Sequence, residues 1–168
     1  MGKYAFVTVG TTKFDDLIRA IDDPEVLLCL ANRGFTSVVA QIGHGDYKPV
    51  FNTHTKLCCE YFRFKPTLLE DMERADLVVS HAGAGSIMEA LGKGKALVAV
   101  VNDRLMNNHQ EELANAMAER NYLLATSPEG LATTLSYLDE SRLQPYPTPR
   151  PEAFAAVIDD EMHSQCNT

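Results

Sequence analysis

The sequence has no tryptophan, only four cysteines and no long apolar run, and each shortage excludes a class of protein. Its longest strongly apolar run, 96–101, is far shorter than the roughly 20 residues that a membrane-spanning helix needs. The cysteines at 29, 58, 59 and 166 form no CxxC pair, and the adjacent two would point to opposite faces of an extended segment. Neither a zinc site nor a disulfide framework is indicated, and we interpret the thiols as reduced and cytosolic.

Positive charge is also in short supply. The sequence has 15 Lys and Arg against 23 Asp and Glu, which gives a net charge of -8. The field of such a chain repels nucleic acid and anionic lipid, so any anion that it binds has to be held by a local arrangement of donors. With 168 residues, of which 45% are hydrophobic, the chain has the length and composition of one ordinary globular domain.

Several catalytic signatures are missing as well. There is no Asp-x-Asp triplet to hold a metal ion on a nucleoside diphosphate, and there is no GxxxxGK[ST], GxSxG or HExxH motif. We therefore predict that the protein uses no metal and no cofactor.

What is present is a regular alternation of strand and helix patterns. The predicted strands are 4–9, 37–42, 57–64, 77–80, 96–101 and 122–125, and the third of these has a more exposed pattern. Helices are predicted from about Asp15 with a break near Pro24, from Pro66, around Ser86, from Asn108 and from Pro128. This order predicts an α/β, doubly wound, mostly parallel six-stranded sheet with a Rossmann-like arrangement.

Glycine-containing or polar loops follow four of the predicted strands, at 10–13, 43–45, 81–86 and 102–110. In doubly wound sheets ligands bind at the carboxyl ends of the strands, so we expect these loops to meet.

The segment His81-Ala-Gly-Ala-Gly-Ser86 runs from a buried strand into a helix. Free backbone N–H groups and the helix dipole would converge there, and glycine allows a phosphate to approach closely. We predict a pyrophosphate site formed by the four residues Gly83, Ala84, Gly85 and Ser86. The alternative is a turn whose glycines only permit tight packing of strand and helix.

Two neighbours of this loop have alternative interpretations. Glu89 lies three residues after Ser86, where its carboxylate can accept hydrogen bonds from the vicinal hydroxyls of a ribose, or can simply be solvated. His81 either contacts the ligand or supports the loop through a hydrogen bond.

Polar side chains elsewhere are candidates for the same site. Asn107, His109 and Gln110 suit sugar hydroxyls, although they also fit an ordinary polar helix entrance. Gly10, Thr11 and Thr12 follow the first strand, and Lys13 could neutralise a diphosphate or be an ordinary exposed lysine.

Two other functions stay open from the residues alone. A dinucleotide fingerprint wants Gly or Ala where Met88 lies, but Asp103 is placed as a ribose-binding acid would be, so an NAD-binding oxidoreductase is one alternative. A non-catalytic interaction module is the other.

The composition of the sequence changes near the end of the chain. We predict an α/β domain at 1–141, a proline-rich linker at 142–151 and an amphipathic helix with a tail at 152–168. The helix either folds back on its own domain or docks a second chain.

Five segments of the sequence, 7–15, 80–91, 94–100, 105–110 and 108–114, carry a resemblance. They resemble the nucleotide-sugar-binding half of the GT-B glycosyltransferases of family 28, and within it the cytosolic subunits of two-part eukaryotic UDP-N-acetylglucosamine transferases. The resemblance implies that the glycine loop with Ser86 binds the diphosphate, Glu89 the uridine ribose, and Gln110 with its neighbours the sugar. Leu113 departs from the asparagine that bacterial relatives often have there, so no sugar contact is expected from it.

The resemblance also implies a reaction and partners. N-acetylglucosamine would move from UDP-GlcNAc to dolichol-diphosphate-GlcNAc, with inversion, at the cytosolic face of the endoplasmic reticulum. A membrane-anchored partner subunit would recruit the cytoplasmic chain and supply the acceptor site and the general base, so no catalytic residue is assigned here. The helix at 152–162 would grip that partner.

Overall fold

The computed structural model describes residues 2–52, 54–104 and 109–147. The strands are β1 (Lys3–Thr8), β2 (Phe35–Gln41), β3 (Cys58–Phe62), β4 (Leu77–His81), β5 (Ala96–Val100) and β6 (Leu124–Thr126). The helices are α1 (Asp15–Ile21), α2 (Pro24–Asn32), α3 (Leu69–Arg74), α4 (Ala84–Gly92), α5 (His109–Glu119) and α6 (Leu131–Tyr137). A 3₁₀ turn, Glu140–Arg142, follows the last helix.

The six strands form one sheet in the order β3-β2-β1-β4-β5-β6, and every pair of neighbours is parallel. The predicted doubly wound α/β fold is confirmed. The strand order reverses between β1 and β4, and a crevice opens outside the carboxyl ends of two strands at such a switch point.

The core consists of two apolar layers, one on each face of the sheet. Helices α1, α2 and α6 cover one face, with buried side chains such as Leu17, Leu27 and Leu131. Helices α3, α4 and α5 cover the other, with Met72, Ile87 and Ala114. Because central strands are buried on both faces, β1 and β4 have almost continuous apolar sequences.

Two helices begin later than the prolines predicted. Helix α3 begins at Leu69 instead of Pro66, because the Thr67 hydroxyl accepts the N–H of Leu69 (3.1 Å) in a local turn. Helix α6 begins at Leu131 instead of Pro128, after a turn in which Gly130 donates its N–H to Ser127. The predicted break near Pro24 is confirmed, since Asp23 caps α2 by accepting the N–H of Glu25 (2.8 Å).

The connection from β2 to β3 contains no helix among its described residues, 42–52 and 54–57. The carboxylate of Asp22, next to α1, holds this connection by accepting the hydroxyl of Tyr47 (2.5 Å) and the N–H groups of Val50 (3.0 Å) and Phe51 (2.6 Å). β3 is an edge strand with mostly exposed residues, as its pattern predicted.

The described chain continues past the predicted domain boundary at 141. Within the predicted linker, the Tyr146 ring packs edge-on against Tyr122, with centroids 5.1 Å apart, and Gln144 donates its N–H to the Asn121 carbonyl (2.7 Å). The predicted helix at 152–168 lies outside the described residues, so that division of the chain stays a prediction. Across the described ranges, no helix is both long and apolar enough to cross a membrane.

Candidate functional site

The carboxyl end of β4 passes into α4 through a very short connection. The strand ends at His81, Gly83 occupies the N-cap position, and the helix begins at Ala84. The first backbone N–H groups of an α-helix have no partner inside the helix. Within the described part of the chain, no side chain caps this terminus, and the first helical bond is the one from the N–H of Ile87 to the carbonyl of Gly83 (3.0 Å).

The two glycines of this corner differ in their surroundings. A Cβ built on Gly83 would lie 2.3 Å from Nε2 of His81, which is closer than real Cβ contacts come, so packing alone requires glycine there. A Cβ on Gly85 would meet nothing within 4 Å, and the backbone at Gly85 has no positive φ. The interpretation of the loop as a packing turn therefore accounts for Gly83 but leaves Gly85 without a structural reason. Among the described residues, no apolar side chain fills the space beside Gly85.

His81 joins this corner to the loop after β1. Gly10 adopts a φ of +63°, and a Cβ on it would lie 2.8 Å from Cε1 of the same imidazole. The ring thus lies against both Gly10 and Gly83, near the carboxyl ends of β1 and β4. Burial lowers the pKa of His81 from its ordinary value, and a hydrogen bond with the Thr8 backbone partly opposes the shift. The loop-support interpretation of His81 agrees with this position, and the ring is 8% exposed.

Most donors of the β1–α1 loop are engaged within the protein. The N–H of Gly10 is donated to the Gln41 side-chain oxygen (3.0 Å) and the Thr8 hydroxyl (3.1 Å). Thr12 donates both its N–H (3.3 Å) and its hydroxyl (2.8 Å) to the Val9 carbonyl. Thr11 is exposed and, among the described residues, has no hydrogen-bond partner, so it is the residue of this loop best able to donate to a ligand.

Lys13 is not a free cation. Its ammonium bonds to Asp46 and lies 3.9 Å from Asp15. The bond to Asp46 is the main cause of the raised pKa of Lys13. The predicted neutralisation of a diphosphate by Lys13 would require it to leave these carboxylates.

Ser86 and Glu89 lie one turn apart on α4, and Ser86 is half-buried while Glu89 is exposed. Within the described ranges, no side chain pairs with the Glu89 carboxylate. Helix α4 begins at the carboxyl edge of the sheet, and both residues lie near its start, as the sequence predicted.

The described part of the β5–α5 connection also lies at the carboxyl edge of the sheet. Arg104 forms an ion pair with Asp16 of α1 (3.2 Å), and its N–H is donated to the side chain of Asn102 (3.2 Å). An open cleft of about 580 Å³ lies between this connection and the β1–α1 loop. It is lined by Lys13, Phe14, Asp15, Asp16, Arg19, Asn102 and Arg104.

The predicted sugar-binding residues begin α5. His109 is exposed, with Nδ1 3.8 Å from the Glu112 carboxylate, and Gln110 is half-buried. Asn107 lies outside the described residues. Leu113 is half-buried against the apolar layer that α4 and α5 share, a packing position that suits leucine.

The described parts of the four loops therefore lie at one edge of the sheet, as predicted. A Cβ on Gly43 would lie 2.8 Å from the Thr12 carbonyl, which joins the β2 loop to the β1 loop. Sequence reasoning missed Gln41 and the pair Asp16 with Arg104. The one available signal was a buried-strand pattern, 37–42, in which Gln41 is a polar residue among apolar ones. Nowhere in the described ranges do three or more His, Cys, Asp or Glu side chains cluster as metal ligands would.

The comparisons with known proteins identify the family and the fold of the chain. The model of the glycosyltransferase family 28 C-terminal domain matches residues 4–162, so the chain belongs to this family of glycosyltransferase domains. An oxidoreductase that binds NAD, the alternative suggested by Asp103, receives no support from this family.

Two curated relatives are named UDP-N-acetylglucosamine transferase subunit ALG13. The one from Yarrowia lipolytica is 33% identical over 159 residues, covering 91% of this chain and 81% of that relative. The human one is 46% identical over 121 residues, covering 72% of this chain. The match spans only 11% of the human protein, about a tenth of its length.

Solved structures show the same fold. The solution structure of ALG13 aligns with a TM-score of 0.69 at 26% identity, covering 93% of this chain and 94% of that one. MurG from Acinetobacter baumannii aligns with a TM-score of 0.64 at 18% identity, covering 85% of this chain and 43% of MurG. The second likeness concerns the fold alone, that of one half of a GT-B glycosyltransferase.

Proposed function

We propose that this chain is the donor-binding subunit of an inverting glycosyltransferase that moves N-acetylglucosamine from UDP-GlcNAc to dolichol-diphosphate-GlcNAc. The observation that carries the proposal is the open N-terminus of α4, where Gly85 faces empty space and no side chain of the described residues caps the helix. The protein has a net charge of -8, but at this corner backbone N–H donors and the positive end of a helix dipole are available to bind an anion. The name of the curated relatives supports the choice of donor.

Each candidate residue has a role in this proposal. The N–H groups of Ala84, Gly85 and Ser86 hold the diphosphate, and the Ser86 hydroxyl adds a further donor. Glu89 accepts the hydroxyls of the uridine ribose. Gln110, with His109 and Asn107, binds the sugar.

The β1–α1 loop has a different kind of role. The donors of Gly10 and Thr12 form hydrogen bonds within the protein, so these two residues shape the wall of the diphosphate site. Thr11 donates a hydrogen bond to the ligand. His81 supports this wall because its ring packs against Gly10.

The reaction is a single displacement. The acceptor hydroxyl attacks the anomeric carbon of GlcNAc, the bond from that carbon to the diphosphate oxygen breaks, and UDP leaves with the bonding electrons. The α4 terminus stabilises the negative charge that develops on the leaving diphosphate. The hydroxyl proton passes to a general base that we assign to the partner subunit.

We further propose that the partner is a membrane-anchored, acceptor-binding subunit, gripped by the segment 152–162, which recruits this chain to the cytosolic face of the endoplasmic reticulum. Relatives named as transferase subunits support the need for a second chain. Deleting residues 152–168 should abolish capture of the partner in a pull-down while leaving the unfolding temperature of this chain unchanged. Capture that survives the deletion would contradict the docking role.

The donor is tested by ligand-dependent stability of the full chain. A ligand at 100 times its dissociation constant raises the free energy of unfolding by about 2.7 kcal/mol. We expect this stabilisation from UDP and UDP-GlcNAc and none from GDP or NAD. Stabilisation by NAD but not by UDP, or by no nucleotide, would contradict the proposal. Transfer to a dolichol-type acceptor should then require both subunits, and activity from this chain alone would contradict the divided site.

A further inference from the structure

The last residue of β2, Gln41, is a glutamine with 1% of its surface exposed. Its side-chain oxygen accepts the Thr8 hydroxyl (2.6 Å) and the N–H groups of Val9 (3.1 Å) and Gly10 (3.0 Å). Its side-chain nitrogen donates to the carbonyls of Gly10 (2.8 Å) and Arg63 (2.9 Å). Every polar atom of this buried amide is therefore satisfied, and both hydrogens of the nitrogen are in use.

The amide binds both backbone polar groups of Gly10. That residue needs its N–H and its carbonyl held at the same time, because it leaves β1 in a left-handed conformation with φ +63°. A primary amide offers an acceptor and a donor side by side, which matches the two groups of one peptide residue. A carboxylate would present an oxygen to the Gly10 carbonyl, and a thioether would present neither group.

Gly10 in turn lies against the imidazole of His81, and Gly83 at the N-cap of α4 lies against the same ring. A contiguous set of contacts thus runs from Gln41 through Gly10 and His81 to Gly83. Among the described residues, the hydrogen bonds of Gln41 reach none of the groups assigned to the ligand.

We propose that Gln41 is a positioning residue for donor binding: its side-chain amide holds Gly10 in the conformation that shapes the diphosphate site between β1 and α4. This inference rests on the proposed function. The amide also links β1 to the residue that follows β3, so a purely structural role is the alternative that the test has to separate.

Two substitutions separate the roles. Gln41→Met keeps the length of the side chain and removes all of its hydrogen bonds. Gln41→Glu keeps the accepted bonds and turns an oxygen toward the carbonyls of Gly10 and Arg63. Gln144→Met is the matched control, because Gln144 is exposed and bonds to Asn121 through its backbone.

The dissociation constant for UDP-GlcNAc is measured by titration calorimetry on the full chain, at a temperature where each variant is folded by circular dichroism. We expect both Gln41 variants to bind about tenfold more weakly, as the loss of well-made buried hydrogen bonds implies. Amide hydrogen exchange should speed up at Gly10 and Thr12. Gln144→Met should match the parent chain in both measurements.

The outcomes distinguish the two proposals. If the parent chain binds UDP-GlcNAc and the folded Gln41 variants bind it equally well, with only a lower melting temperature, Gln41 is structural and this inference is overturned. If the parent chain binds no uridine nucleotide, the proposed function is wrong, and the inference about Gln41 is overturned because it rests on that function. Should both Gln41 variants unfold, Thr8→Val removes one bond of the same amide together with the bond that the Thr8 hydroxyl accepts from the N–H of Gly10. Binding should weaken about threefold, and unchanged binding would again overturn the inference.

Discussion

Gly85 and Gly92 lie near opposite ends of α4, and a Cβ built on either would meet nothing within 4 Å. Replacing either glycine by alanine should therefore leave the free energy of unfolding unchanged or raise it by up to about 1 kcal/mol, as helix propensity favours alanine. Only Gly85→Ala should weaken UDP binding, by about tenfold, because its methyl group would occupy the space of the diphosphate. Chemical denaturation and titration calorimetry measure the two effects. Equal UDP affinities for both variants would remove Gly85 from the ligand site.

Gly83→Ala should behave in the opposite way, with a loss of stability. The new methyl group collides with the His81 ring, and overpacking of this kind costs about 1–3 kcal/mol. Urea denaturation of the single and double variants tests the cause. The combination of Gly83→Ala with His81→Ala should be less destabilised than the sum of the two single changes, because the collision is gone. Strict additivity would show that the two residues do not interact.

Glu89→Ala should weaken UDP-GlcNAc binding by about 1–3 kcal/mol, the value of a hydrogen bond to a charged group. Stability should change little, since the carboxylate is exposed and bonds to no described side chain. Glu119→Ala, at the far end of α5, is the control and should keep the parent affinity. Calorimetry with UDP and with a 2′,3′-dideoxy analogue locates the contact, because the analogue should not distinguish Glu89→Ala from the parent.

Acid should destabilise the protein through His81. Its pKa is lowered in the folded state by burial, so below about pH 6.5 the unfolded chain binds more protons than the folded one. The free energy of unfolding should therefore fall as the pH drops from 7.5 to 5.5, and a folded His81→Gln variant should lose part of this dependence. Urea titrations at the two pH values give the slope. An identical slope in His81→Gln would contradict the assignment.

Asp22→Ala should destabilise the fold by about 1–3 kcal/mol, since three donors lose their shared acceptor. Tyr47→Phe removes one of the three bonds and should cost less. Urea denaturation ranks the variants, and a Tyr47→Phe variant as unstable as Asp22→Ala would show that the backbone bonds of Val50 and Phe51 contribute nothing.

The sheet and the meeting of its loops were predictable from the sequence, because both depend on local patterns. A buried parallel strand such as Leu77–His81 has an apolar run, and the right-handed crossover then places its carboxyl end beside that of Lys3–Thr8. The place of the corner at Gly85 was predictable for the same reason, since in a doubly wound sheet the loop from a strand to the next helix lies at the carboxyl end of that strand.

The remaining features depend on contacts between distant residues. Nothing near Gln41 in the sequence shows that its amide holds a glycine 31 positions earlier. The same is true of Asp22, whose three partners lie 25 to 29 positions later. The start of α3 was placed at Pro66 because proline suits a first turn, but the Thr67 hydroxyl provides a stronger local signal.

All six strands of the described sheet run in one direction, so the described groups proposed to meet a ligand lie at one rim of the molecule and none of them lies at the opposite rim. Glu119, exposed at the C-terminal end of α5, belongs to that second rim. A fluorophore or a tether to a sensor surface attached there would leave the nucleotide rim unobstructed and facing solution. The parallel topology thereby provides an attachment site away from the ligand for single-molecule or surface-based measurements.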